Sequence, residues 1–257
     1  MKQTRNASAR QLSILGYLKD NGRASVDDLA ELFQTTPQTI RKDLTALEQD
    51  NQIIRFHGGA SLVAGSEYLG VDTRREIARE EKDKIGRAIA GLVPNNSVVI
   101  INAGTTTAAS MPYFSNHLGL KVVTDSVYMA NGLREHVGLE VMIPAGIVRS
   151  SDGVVLGESA VDFIRQFRAD LAIIGSAAIA KDGALLDYDL REAAVTKSII
   201  DSARSVILAA DSKKFGQSAP ITFGHISQVN TLVTDSGMSK ELKALCDAHN
   251  VQAQIAN

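Results

Sequence analysis

The segment Asn102-Ala103-Gly104-Thr105-Thr106-Thr107 follows a short apolar run and is composed to hold an anion. Glycine lets backbone approach a ligand, threonine offers hydroxyls and a cap, and a helix starting there would present free N–H groups to a phosphate. No Gly-Lys-Ser/Thr follows, so it is not a Walker loop. Four further apolar runs end in small or polar residues: Asp125-Ser126, Ala145-Gly146, Gly175-Ser176 and Asp211-Ser212-Lys213-Lys214-Phe215-Gly216. Lys213 could neutralise a phosphate or carboxylate, and Asp211 could hold Lys213 or accept from a sugar hydroxyl. A different chemistry lies between Thr36 and Gln49. There Gln38, Arg41, Lys42, Thr45 and Gln49 share one side of a helical projection, giving two cations, amides and a hydroxyl with no acid among them. Such a face can meet phosphates and base edges.

The elements that must position these residues are legible in outline. Thr36 is a suitable N-cap and Pro37 fits the first helical position, while Ile40, Leu44 and Leu47 form an apolar stripe opposite the polar face. Residues 9–20 read as a first helix with Ile14, Leu15 and Leu18 available for burial. A second helix begins at Ser25, with Val26, Leu29, Ala30 and Phe33 at helical spacing. Only Gln34-Thr35-Thr36 separate it from the polar-faced helix, which makes a helix-turn-helix. The run from Ile53 to Leu62, broken by Gly58-Gly59, reads as a wing hairpin, with Arg55 and His57 on one face and Ile54 and Phe56 on the other.

Residues 63–80 break the composition with Gly65, Ser66 and Gly70 and are expected to begin as a linker. The charges after Glu80 read as the solvated face of a helix that buries Ile85, Ala88, Ile89 and Leu92. Short apolar runs at 98–101, 121–124, 140–143, 171–174, 206–209 and 231–234 then alternate with helical patterns, which predicts a parallel sheet covered on both faces. In an open α/β sheet, ligands bind beyond the carboxyl ends of the strands, where the small and polar residues stand. Pro112 is expected to kink the helix that follows Gly104.

Composition sets bounds. Hydrophobic residues make up 44% and charged residues 22%, a globular balance, and aromatic residues at 5% disfavour a stacking platform for single-stranded nucleic acid. Net charge is −2, and residues 1–62 hold eight Lys or Arg against seven Asp or Glu, so DNA affinity must come from local placement. The single cysteine, Cys246, excludes an intramolecular disulfide and a multi-cysteine metal site, and reads as a packing residue. No apolar h-region follows Lys2 and Arg5, and the apolar stretch 171–180 is too short to span a membrane. A cytoplasmic protein with no membrane partner, metal or cofactor is expected.

Arg10, Ile14 and Leu18, then Thr36-Pro37-Gln38-Thr39-Ile40-Arg41-Lys42-Asp43-Leu44, resemble the signature of DeoR-type bacterial repressors, and the segment from Ile54 to Ala60 resembles their wing. Gly104-Thr105-Thr106, Ala145-Gly146, Gly157-Glu158, Asp182-Gly183, Glu192 and the segment from Asp211 to Gly216 are similar to the family's sensor domain. The resemblance implies a winged helix-turn-helix over residues 1–62, a linker over 63–80, and over 81–257 a larger α/β sensor and oligomerisation domain resembling the sugar-phosphate isomerase fold. It implies a transcriptional repressor of a carbohydrate or polyol operon. Operator DNA would be one partner, and a phosphorylated sugar or polyol effector such as glycerol 3-phosphate another. Symmetric operators call for a homodimer or homotetramer.

Gln38, Thr39, Arg41, Lys42, Thr45, Arg55 and His57 are then the expected DNA contacts, and Arg10 serves structure or backbone contact. The expected effector contacts are Asn102, Gly104, Thr105, Thr106, Asp125, Ser126, Ala145, Gly146, Gly175, Glu192, Asp211 and Lys213. Asp125 stands where the family usually has Asn, and Ile147 where a second Gly follows Ala-Gly. An acid facing a phosphate would repel it, so Asp125 is expected to bind hydroxyls or to mark a different ligand. A second function remains open from residue chemistry. Glu192 with Lys213 and Asp211 could serve proton transfer next to a carbonyl, in an isomerase carrying an accessory DNA-binding module.

Overall fold

The computed structural model describes residues 8–21, 23–49, 52–56, 58–62, 71–76 and 78–257. His57 and most of the expected linker, 63–70 and 77, lie outside the described residues. The chain divides into two compact units, Met1–Leu69 and Gly70–Asn257.

The first unit is built from α1 (Ala9–Asn21), β1 (Arg23–Ser25), α2 (Val26–Leu32), α3 (Pro37–Gln49), β2 (Ile53–Phe56) and β3 (Gly59–Leu62). Ser25 and Asp28 form a capping box at the start of α2, satisfying two backbone donors reciprocally. The Thr36 hydroxyl accepts from the Thr39 N–H and so caps α3. Ile14, Leu18, Leu29, Ile40, Leu44 and Leu47 are buried together, which turns the polar side of α3 outward. The wing is wider than a hairpin: β1 pairs antiparallel with β3, giving the strand order β1-β3-β2. Three residues after a glycine carry too little alternation for the sequence to announce β1 as a strand. Gly58 turns the wing at a φ of 85°, a conformation that favours glycine.

The second unit opens with α4 (Val71–Glu76) and α5 (Arg79–Leu92), so the stretch expected as linker contains a helix. There follow β4 (Val98–Ile101), α6 (Thr105–Ala108), β5 (Leu120–Thr124), α7 (Val127–Leu133), β6 (Leu139–Met142), β7 (Ile147–Val148), β8 (Val155–Leu156), α8 (Glu158–Arg165) and β9 (Ala169–Ile174). The chain continues with β10 (Ala178–Ile179), β11 (Ala184–Asp187), α9 (Leu190–Asp201), β12 (Ala203–Ala209), β13 (Ile221–His225), β14 (Thr231–Thr234), α10 (Lys240–Ala248) and β15 (Gln252–Ile255). Seven strands form one sheet in the order β15-β14-β12-β9-β4-β5-β6, and every pairing is parallel.

Both faces of this sheet are dry. Ile100, Ala172 and Ile174 belong to one apolar cluster, with Ile164, Ile199 and Cys246 from the covering helices. Val99, Ile101 and Ile173 belong to the other, with Ile85, Ile89 and Leu133. Burial on both faces explains why these strands read as continuous apolar runs. The short strands β7, β8, β10, β11 and β13 form a separate hairpin and a three-stranded antiparallel sheet.

The helix expected after Gly104 is a single turn. Pro112 starts a separate 3-10 turn, Met111–Phe114, instead of kinking a longer helix. One glycine fixes where that turn sits. A Cβ on Gly86 of α5 would overlap the backbone carbonyl of Ala109, whereas one on Gly91, in the same helix, would meet nothing. Gly86→Ala is therefore expected to destabilise the protein by roughly 1–3 kcal/mol through forced backbone displacement. Gly91→Ala should be neutral or stabilising by up to ~1 kcal/mol through helix propensity. Chemical denaturation of the two variants decides, and equal stabilities would contradict the close approach of α5 to the 104–110 segment.

Candidate effector pocket and DNA-reading face

On α3, Gln38, Arg41 and Lys42 are exposed, and none makes a side-chain hydrogen bond or ion pair with another described residue. The other expected contacts are partly engaged. Thr39 shares a hydrogen bond with the Thr36 hydroxyl, and Thr45 donates to the Arg41 carbonyl while accepting from Arg55 at 3.0 Å. Arg55 also lies 3.7 Å from Glu48, so this wing residue is braced on α3. Arg10 is structural. Its Nε donates to buried Asp43 at 2.6 Å, Gln11 donates to the other carboxylate oxygen at 3.1 Å, and both tie α1 to the inner side of α3. The pairing with Asp43 holds the Arg10 guanidinium above its usual range.

In the second unit a pocket opens near the carboxyl ends of β4 and β5, lined by Gly104, Thr105, Ser126, Tyr128, Asp152 and Glu192, together with Arg74 and Arg75 of α4. Its wall is a network of charges. Arg149, just after β7, grips Asp152 with two bonds, Nε to Oδ1 at 2.9 Å and Nη2 to Oδ2 at 2.5 Å. It also pairs with Asp189 at 3.2 Å and with Glu192. Asp189 caps α9 and Glu192 lies in its first turn, where the helix dipole favours acids. Burial alone would lower the pKa of Arg149, but Asp152 and Glu192 outweigh it and hold the guanidinium above its usual range. The turn of the β7–β8 hairpin is anchored by hydrogen bonds from Val127 N to Gly153 O and from Val155 N to Asp125 O.

Of the twelve expected effector contacts, Gly104, Thr105, Ser126 and Glu192 reach the pocket wall. Four more stand behind it. Asn102 bridges strand ends by accepting from Gly175 N at 2.9 Å and donating to Thr196, and Thr106 is buried beside it in the chain. Asp125 does not face the pocket: it is buried, and its carboxylate accepts from Ala103 N at 2.5 Å. Burial pushes it up to about 7, the Ala103 N–H opposes, and Glu192 adds to the rise. Asp187 is pushed to about 6 by burial and by Glu192.

The remaining four contacts do not line the pocket. Ala145 and Gly146 are exposed next to the hairpin, Asp211 is buried, and Lys213 is exposed on a 3-10 turn after β12. That turn follows a strand two positions from β4 in the sheet. The grouping of Glu192 with Asp211 and Lys213 needed for proton transfer is therefore not assembled. No cluster of three or more metal-ligating side chains occurs among the described residues. An arrangement of guanidinium, hydroxyl and carboxylate groups can bind a polyhydroxylated anion.

Sequence reasoning missed Arg149, Asp152 and Asp189, because a hairpin inserted between sheet strands has no period of its own; the Asp152-Gly153 turn was its only signal. Arg74 and Arg75 were hidden in a charge-dense stretch.

The comparisons with known proteins agree with this layout. Residues 10–65 match the DeoR-like helix-turn-helix domain and residues 77–236 the DeoR C terminal sensor domain. The chain belongs to the DeoR family. It is 36% identical over 255 residues to the glycerol-3-phosphate regulon repressor of Escherichia coli (strain K12), covering 99% of this chain and 100% of that one. It is 34% identical over 235 residues to the HTH-type transcriptional repressor CsqR of the same organism, covering 91% and 90%. Among solved structures, ribose 5-phosphate isomerase A of Methanocaldococcus jannaschii is similar at 14% identity and a TM-score of 0.40, over 54% of this chain and 55% of that one. No helix among the described residues is long and apolar enough to cross a membrane.

Asp125 and Asp187 keep protons in the folded chain that they lose in the unfolded chain above pH ~4. Their contribution to stability is present below that pH and is lost as pH rises toward 7. Asn mimics the protonated acid, so Asp125→Asn should melt higher than the parent protein at pH 8, by up to ~4 kcal/mol of stability. The gap should close toward pH 4. Parallel melting profiles for the two proteins would show that Asp125 titrates normally.

Proposed function

We propose that this protein is a sequence-specific transcriptional repressor of a carbohydrate or polyol catabolic operon and not an enzyme. In this reading residues 1–62 form the DNA-binding domain and residues 81–257 bind effector and hold two or four copies together. A phosphorylated sugar or polyol, such as glycerol 3-phosphate, enters the pocket and releases the operator. The observation that carries the DNA half is the outward face of α3, where Gln38, Arg41 and Lys42 stand exposed on a capped helix. Thr39, Thr45 and Arg55 flank that face, and His57 belongs to the same wing. Two copies would set two such helices about 34 Å apart, one turn of DNA, which compensates for a unit with little net charge. The full-length similarity to a glycerol-3-phosphate regulon repressor supports a phosphorylated polyol as effector.

Release requires the effector to bind the DNA-free state more tightly than the DNA-bound state, a coupling typically of about 1–3 kcal/mol. Within the pocket, Gly104, Thr105, Ser126 and Glu192 are the assigned contacts, with Asn102, Thr106, Asp125 and Gly175 shaping the wall behind them.

Operator duplexes selected from a random library by the full chain provide the test. Arg41→Ala with Lys42→Ala should weaken binding and reduce the slope of log affinity against log salt by about 2, one for each lost phosphate contact. An unchanged affinity and slope would remove this face from the interface.

A further inference from the structure

We propose that Arg74 is the receptor for the anionic group of the effector, which makes α4 the element through which the ligand is read. This rests on the effector reading above and adds the binding group that Lys213 does not supply. The helix occupies residues 71–76, between the segments matched to the DNA-binding and sensor families.

The argument begins with the partners each cation already has. Arg149 is occupied on all sides: both oxygens of Asp152 are bonded to it, and Asp189 and Glu192 complete its surroundings. It is the counterion of the pocket wall and has no bond to give a ligand without exposing a carboxylate. Arg74 is placed differently. Its Nε is buried without a hydrogen-bond partner, and its Nη2 lies 3.6 Å from Asp152, beyond hydrogen-bond length and against a carboxylate that Arg149 has already satisfied. An unbonded guanidinium N–H in the wall of a pocket leaves a strong donor unused.

Arg74 shares that wall with Arg75, Thr105 and Ser126. The Arg75 guanidinium stacks 3.8 Å from the centre of the Tyr128 ring, which holds a second cation at the rim. The backbone position of Arg74 is set from below. Buried Lys82 of α5 donates to the Arg74 carbonyl at 2.5 Å, and α4 packs on α6.

The matching ligand is a phosphate monoester with neighbouring hydroxyls. A guanidinium fork meets two phosphate oxygens, while Asp152 and Glu192, on the same wall, can accept from hydroxyls. Binding would bridge α4 to the loop at Thr105. Because α4 follows residue 70 directly in the chain, any change in its placement is passed along the backbone that leads to β3.

The test uses the full chain and calorimetric titration with a panel of phosphorylated polyols and sugars that includes glycerol 3-phosphate, with glycerol and inorganic phosphate as controls. The parent protein should prefer the phosphorylated compound to its unphosphorylated form. Arg74→Gln should weaken that binding at least about tenfold, as loss of a charge-assisted bond does, and should reduce the preference for the phosphorylated form. Arg74→Lys, which keeps the charge but not the fork, should fall between the two, and serves as the comparison if Arg74→Gln does not fold. The ligand-induced change in operator affinity, taken relative to each variant's own ligand-free value, should shrink in the same order. Parent-like binding in both variants overturns the assignment of Arg74 and leaves the effector reading intact. No binding of any phosphorylated compound by the parent protein overturns both.

Discussion

Three carboxylates, from Asp152, Asp189 and Glu192, converge on the single guanidinium of Arg149 in a partly buried setting. Removing charges from water is expensive unless each finds partners, and removing one partner leaves the others uncompensated. The rest of the sensor unit is arranged around this condition. The β7–β8 hairpin must lie against the β5–α7 junction to deliver Arg149 and Asp152, and α9 must begin where Asp189 and Glu192 can meet them. The pocket is the space these pieces leave. Its charge follows as well, since a wall balanced by Arg149 lets Arg74 remain without a strong partner.

The DNA-reading unit uses a related device at smaller scale. Asp43 lies on the inner side of α3, and Arg10 and Gln11 reach across from α1 to satisfy it. That acid is turned inward together with Ile40, Leu44 and Leu47, so the outward side of α3 keeps its cations without an acid beside them. The capping of α2 by Ser25 and of α3 by Thr36 sets the short connection between the two helices.

How much of this was legible depends on whether a signal is local. The stripe of Ile40, Leu44 and Leu47 and the caps at Ser25 and Thr36 are written within one or two helical turns, and the folded chain follows them. The continuous runs at 98–101 and 171–174 announced strands buried on both faces. β15 was not foreseen, because Gln252-Ala253-Gln254-Ile255 is an edge strand with too little apolar content to read as one. The pocket was half legible: Gly104, Thr105 and Ser126 follow strand ends, as topology demands, and line it. Asp211 and Lys213 also follow a strand end, yet lateral position in the sheet decides which ends meet, and strand order is not written in any one segment. Arg149 and Arg74 owe their roles to partners distant in sequence, so their residue types alone said nothing. Asp125 shows the same limit, since burial, which no local pattern reveals, turns an expected ligand contact into a wall residue.

The central claim is that one ligand pocket and one DNA-reading face are thermodynamically coupled through the chain that joins them. Linkage is reciprocal: whatever factor the effector takes from operator affinity, the operator must take from effector affinity. The most direct measurement is calorimetric titration of the effector into the free protein and into the protein saturated with operator duplex. A lower effector affinity in the operator complex, by the same factor as the effector weakens operator binding, is the predicted result. Equal affinities in the two titrations would show that the pocket, whatever it binds, does not control the DNA-reading face.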